Sequence, residues 1–123
     1  GRPRRVGPFD VPASRYGVLV QGCDELALTK LDVLSYLEEI PVCVAYDVEG
    51  ELTKDFPYST ELDKAKPVVE YVKGWNCDIS KCRKPEDLPK EALDYIKYIE
   101  KAVDSKIKYV SVGAARDEYI VMY

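Results

Sequence analysis

Lys30, Leu31 and Asp32 stand where an apolar run, Leu26-Ala27-Leu28, should leave a strand. In open α/β sheets, ligands gather outside the carboxyl ends of strands. A carboxylate has two acceptor oxygens and can take two parallel N–H donors. The Watson–Crick edge of guanine offers such a pair, N1–H and the N2 amine. Adenine has an acceptor at N1 and would leave a polar edge unpaired, at a cost of about 1–3 kcal/mol. The Lys30 stem can cover the flat face of a base while its ammonium stays in water. A surface ion pair at a strand end accounts for the same triplet.

Two further groups have polar chemistry at marked positions. Ser111-Val112-Gly113 follows a second apolar strand. Serine is both donor and acceptor there, and glycine lets a ligand approach the backbone. Turn geometry alone explains Ser-x-Gly in many proteins, so the interest is positional: two polar strand tips side by side can enclose one flat ligand. Arg2, Arg4 and Arg5 surround Pro3 at the start of the chain. Their planar forks suit phosphate or carboxylate, although a solvated terminus has the same composition.

Cys77 and Cys82 would need two more ligands to hold zinc. The chain has no His, and Cys23 and Cys43 lie among apolar residues, where they read as reduced core thiols. No metal site is expected. The lack of His also removes the commonest general base near neutral pH. No Ser–His or Cys–His pair exists for nucleophilic catalysis, and none of the seven glycines falls at the spacing of a phosphate-cradling G-x-x-x-x-G-K-[ST] loop.

The elements that must position these residues follow from periodicity. Asp10 caps a helix over 11–21, with Pro12 in its first turn and Gly22 as its stop. Val11, Ser14, Tyr16, Val18, Leu19 and Val20 make a largely apolar face on it. A short buried strand over 25–29 leads to a helical turn over 33–37, with Asp32 at its N-cap. Alternation over 40–48 predicts a strand, the Glu49-Gly50 turn a hairpin with 51–56, and 57–66 a polar loop. A strand over 68–72 ends at Gly74-Trp75, where the tryptophan is a core or rim aromatic. Residues 76–87 are irregular. Leu88, Ala92, Leu93, Ile96, Ile99 and Val103 recur at helical spacing, which predicts a helix from Pro89 to Val103. Strands over 107–111 and 119–123 bracket a loop at 113–117. The expected fold is α/β, grading to α+β: one domain over residues 1–123, with a mixed sheet of five or six strands and two main helices. Two helices cannot cover both faces of such a sheet, so part of it is expected to be exposed, or covered by something absent from this chain.

The totals set outer bounds. A chain of 123 residues makes one domain with a modest core. A net charge of −4 argues against general nucleic-acid binding. No apolar run is long enough for a membrane span, and the basic start has no apolar stretch of a signal peptide. These features and the free thiols point to the cytoplasm. Without an initiator Met, Gly1 is expected to be a processing product or the start of an excised piece.

Taken together, these residues resemble a known family. Gly1-Arg2-Pro3-Arg4-Arg5-Val6-Gly7 with Phe9-Asp10, then Leu26 to Leu34, Val42 to Tyr46, Gly74-Trp75, Leu88-Pro89 to Tyr95-Ile96, and Ser111-Val112-Gly113 with Arg116 look like the carboxyl-terminal part of adenylosuccinate synthetase. The order and spacing fit along the whole chain, and the stretches 1–7 and 26–34 are the specific ones. The resemblance implies part of a larger P-loop-type ligase that joins IMP and L-aspartate using GTP and Mg2+, with the magnesium and phosphate sites in the amino-terminal part. It implies a homodimer in which a partner arginine reaches the IMP site. Residues 1–9 would be the end of a substrate loop and 10–123 the guanine-recognition part. Arg2 would contact IMP and aspartate. Arg4 would serve the aspartate carboxylate and the GTP phosphates. Lys30, Leu31 and Asp32 would recognise guanine, with Ser111, Val112 and Gly113 closing the pocket. No catalytic residue falls in this stretch, so the chain alone is expected to be inactive. The family usually has Trp where Pro8 stands, and Pro-Asp where Ala114-Ala115 stand. A non-catalytic guanine-nucleotide-binding module and a decayed interaction domain are the alternatives.

Overall fold

The computed structural model describes residues 1–123. The chain runs β1 (Phe9–Asp10), α1 (Val11–Gln21), β2 (Glu25–Leu28), a 3-10 turn (Leu31–Leu34), β3 (Glu39–Val48) and β4 (Glu51–Thr53). It continues through α2 (Ser59–Leu62), β5 (Ala65–Lys73), a second 3-10 turn (Pro85–Asp87), α3 (Lys90–Val103), β6 (Lys106–Ser111) and β7 (Tyr119–Val121).

The strands form two mixed sheets, where the sequence suggested one. In the first, β5 runs antiparallel along the whole of β3, from Glu39 opposite Lys73 to Val48 opposite Ala65. A strand has only two edges, so β1 and β4 share the other: β1 is parallel beside Val42 and Cys43, and β4 folds back beside Tyr46–Val48. In the second sheet, β6 is central, with β2 parallel on one side and β7 antiparallel on the other. One long strand with a divided edge and one three-stranded sheet use the same alternating residues as a single sheet, and periodicity does not distinguish them.

The amphipathic helix α3 joins the two layers. Ala92, Tyr95, Ile96, Ile99 and Val103 are buried against Ile40 and Val42 of the first sheet and Ile107, Val110 and Ile120 of the second. Tyr95, absent from the expected stripe, has its hydroxyl pushed up to about 12 by burial, with Tyr98 adding to the effect. The folded state favours the neutral phenol, so this contribution is whole below the ordinary value of 10.0 and is lost as pH climbs toward about 12. Tyr95→Phe is expected to flatten the fall in Tm between pH 10 and 12, as read by thermal denaturation across that range.

Other expectations are corrected. Helix α1 has its predicted cap, with Ala13 N donating to Asp10 Oδ1 at 2.9 Å, and its stop at left-handed Gly22. Tyr46 OH donates to the other Asp10 oxygen. The apolar face of α1 is divided: Val11 and Val18 pack against the core, while Tyr16, Leu19 and Val20 are exposed, Leu19 by 78%. An apolar stripe says that a face is sticky, and nothing in it says what covers it. Strand β2 is likewise half-exposed, because β6 pairs with only one of its edges. Strand β4 ends at Thr53, and residues 59–62 form a single helical turn within the expected loop. Cys43 is buried, while Cys23 is only half-buried; all four thiols are free.

Candidate functional site at two strand tips

Strands β2 and β6 are parallel, so their carboxyl ends open on the same side. Leu28 lies opposite Val110, and just beyond this pair Lys30 N donates to Ser111 Oγ at 2.7 Å. That bond ties the two tips foreseen from the sequence. It also supports an unusual backbone, since Lys30 has a left-handed conformation with φ 60. For a non-glycine residue this geometry costs on the order of 1–2 kcal/mol, and it turns the chain sharply out of β2.

The turn sends Leu31 into the core, where it is 1% exposed and belongs to the same cluster as Val110 and Val112. Asp32 follows inside the Leu31–Leu34 turn. The expected N-cap role is therefore corrected: the cap position is Lys30, and no side chain caps the turn. Asp32 Oδ1 is instead buried without a hydrogen-bond partner. No other buried side-chain nitrogen or oxygen in the chain is left in that state. Leaving such an atom unpaired costs about 1–3 kcal/mol, so a donor from outside the chain fits here. The ion-pair reading fails, because the chain's ion pairs are Lys64–Glu49, Lys73–Glu91, Lys90–Asp94 and Lys108–Glu25.

On the other tip, Val112 is fully buried and its N–H donates to Glu118 O at 2.9 Å. The 113–117 loop closes on Glu118, whose Oε2 accepts from Ala115 N at 2.8 Å and whose N–H donates to Ala115 O at 3.1 Å. The room left by the missing Gly113 side chain is filled by the Glu118 carboxylate. The loop thus has a defined shape despite Ala114 and Ala115. Glu118 escaped the sequence reading, since one acid after a polar loop has no distinguishing pattern.

The structure therefore gathers Lys30, Leu31, Asp32, Ser111, Val112 and Gly113. It does not gather the arginines with them: Arg2 and Arg4 lie in residues 1–8, which are exposed and have no regular structure. A surface groove between α1 and residues 48–58 contains none of the six. No group of three or more His, Cys, Asp or Glu side chains is arranged to hold a metal ion. No helix is long and apolar enough to cross a membrane.

What the arrangement can do is pair an acceptor carboxylate with a flat group that carries adjacent N–H donors. Comparison with known proteins bears on which group that is. A family model described as adenylosuccinate synthetase matches residues 1–120. The adenylosuccinate synthetase of Synechococcus sp. (strain CC9902) is 49% identical over 123 residues, 99% of this chain and 28% of that protein. The one from Nostoc punctiforme is 46% identical over the same shares. A solved structure described as fully ligated adenylosuccinate synthetase from Plasmodium falciparum superposes with a TM-score of 0.90 at 40% identity. It is matched over 99% of this chain and 30% of its own. The chain thus spans about 28% of the length of the curated relatives it matches.

Proposed function

This chain belongs to the adenylosuccinate synthetase family, and on that premise we propose that it is the guanine-recognition part of a GTP-dependent ligase of purine biosynthesis. The observation that carries the reading is the buried, partnerless Oδ1 of Asp32 beside an exposed Lys30. Guanine N1–H and its N2 amine supply the two donors that a carboxylate takes side by side. The Lys30 stem covers the base, Leu31 and Val112 root the two tips in the core, and Ser111 and Gly113 close the opposite side.

In the proposed reaction the 6-oxygen of IMP takes the γ-phosphoryl group of GTP, leaving GDP. The amine of L-aspartate then displaces that phosphate to give adenylosuccinate. Arg2 meets IMP and aspartate, and Arg4 meets the aspartate carboxylate and the GTP phosphates. Mg2+ and the phosphate loop lie in the remainder of the enzyme, which works as a cytoplasmic homodimer. This chain's own contribution is to bind and select the base, with no proton transfer or bond formation of its own.

Trp75 is the only tryptophan in the chain, so its fluorescence is a direct probe. Titration is expected to give tighter binding of GDP than IDP, and of IDP than ADP. Removing the N2 amine costs one hydrogen bond to a charged group, roughly tenfold or more in Kd. Equal responses to GDP and ADP would count against the reading. Incubation of the chain alone with IMP, aspartate, GTP and Mg2+ is expected to yield no adenylosuccinate.

A further inference from the structure

A carboxylate selects a base only when its oxygens are held within about 0.5 Å of the pairing geometry. The turn that holds Asp32 is a weak frame for that task. It consists of isolated i to i+3 bonds: Val33 N to Lys30 O at 3.2 Å, Ser35 N to Asp32 O at 3.1 Å and Leu37 N to Leu34 O at 3.1 Å. Such bonds are poorly aligned, and a short 3-10 turn has little rigidity of its own. Two tethers belong to the site itself, the buried Leu31 and the Lys30–Ser111 bond. A third comes from outside it.

We propose that Trp75, acting through Ser35, is a positioning residue for guanine selection by Asp32. The indole Nε1–H of Trp75 donates to Ser35 Oγ at 3.0 Å. Ser35 in turn donates its backbone N–H to the carbonyl of Asp32. The donor is itself fixed, because Trp75 is buried and its ring packs against Tyr95 of α3 with centroids 5.9 Å apart. Gly74 brings the chain onto the same segment, its N–H donating to Glu38 O at 2.7 Å. The core helix is thus linked to the selector through one aromatic donor and one hydroxyl.

The inference rests on the reading of Asp32 as the guanine selector, and the test separates the two. Trp75→Phe and Ser35→Ala are made singly and together in the full-length polypeptide that carries these residues, with Asp32→Asn alongside. The readout is kcat/KM for GTP divided by that for ITP, whose hypoxanthine lacks the N2 amine. Each single variant is expected to lower the ratio about three- to tenfold, the worth of one hydrogen bond. The double variant is expected to lower it no further, because both changes remove the same bond. Ser35→Ala deletes only a hydroxyl, so it carries the test if Trp75→Phe folds poorly. A lower Tm with an unchanged ratio in Trp75→Phe and Ser35→Ala overturns the positioning role, while a shift in Asp32→Asn keeps the guanine reading. An unchanged ratio in Asp32→Asn overturns both.

Discussion

Asp32→Asn is expected to convert a preference for GTP into one for XTP. The amide is nearly isosteric with the carboxylate, so the fold should persist. Its oxygen still accepts from N1–H, but its NH2 now faces the N2 amine of guanine, donor against donor. Xanthine has an oxygen at that position and restores the pair. The lost charge-assisted bond and the newly unpaired donor together amount to about 3–4 kcal/mol, or at least a 100-fold fall in kcat/KM for GTP. ITP, with nothing at the 2-position, is expected to change least. Steady-state rates with GTP, ITP and XTP on the full-length polypeptide measure this, and an unaltered GTP-to-XTP ratio would remove Asp32 from base recognition.

The second large effect is expected at Gly74, a residue that touches no ligand in the proposed reading. A Cβ there would collide with the carbonyl oxygen of Leu37 and stand 3.0 Å from that of Glu38. Both are backbone atoms and cannot swing aside as a side chain does. Relief requires the 35–38 segment to move away from Gly74, which breaks the bond from Gly74 N to Glu38 O and displaces the turn holding Asp32. Gly74→Ala is expected to cost about 2–3 kcal/mol, lowering Tm by roughly 10 °C in a domain of this size. Its GTP-to-ITP ratio should fall with it. Gly17→Ala is the control: Gly17 lies within α1 with nothing within 4 Å of a built Cβ. There alanine is the better helix former, by about 0.5–1 kcal/mol. Thermal unfolding of the two variants side by side measures the contrast.

The legible part of this protein lay where local pattern and chemistry coincided. Helix α3 could be read because its apolar stripe is also its buried face. The two strand tips, at Lys30 to Asp32 and at Ser111 to Gly113, could be located because polar groups at strand ends stand out against apolar runs. Sequence does not report pairing partners, so the division into two sheets stayed hidden. The exposure of Leu19 and Val20 stayed hidden too, because their neighbours are set by tertiary packing. The left-handed turn at Lys30 has no glycine or asparagine to signal it; the distant Ser111 hydroxyl supports it instead. The role of Trp75 was obscured for the opposite reason: an aromatic after a strand is so often core that its single polar atom draws no notice.

The Lys30–Ser111 bond joins residues 81 positions apart. At a synthesis rate of about 5–20 residues per second, Lys30 and Asp32 are made roughly 4–16 s before Ser111 exists. Through that interval nothing supports the left-handed turn, and Leu31 has neither Val110 nor Val112 to pack against. Parallel pairing of β2 with β6 needs this long loop to close first, which makes it intrinsically slow. The turn that holds Asp32 is thus finished only once β6 has been made. On the proposed reading, a nascent polypeptide gains its preference for guanine only after β6 has been made.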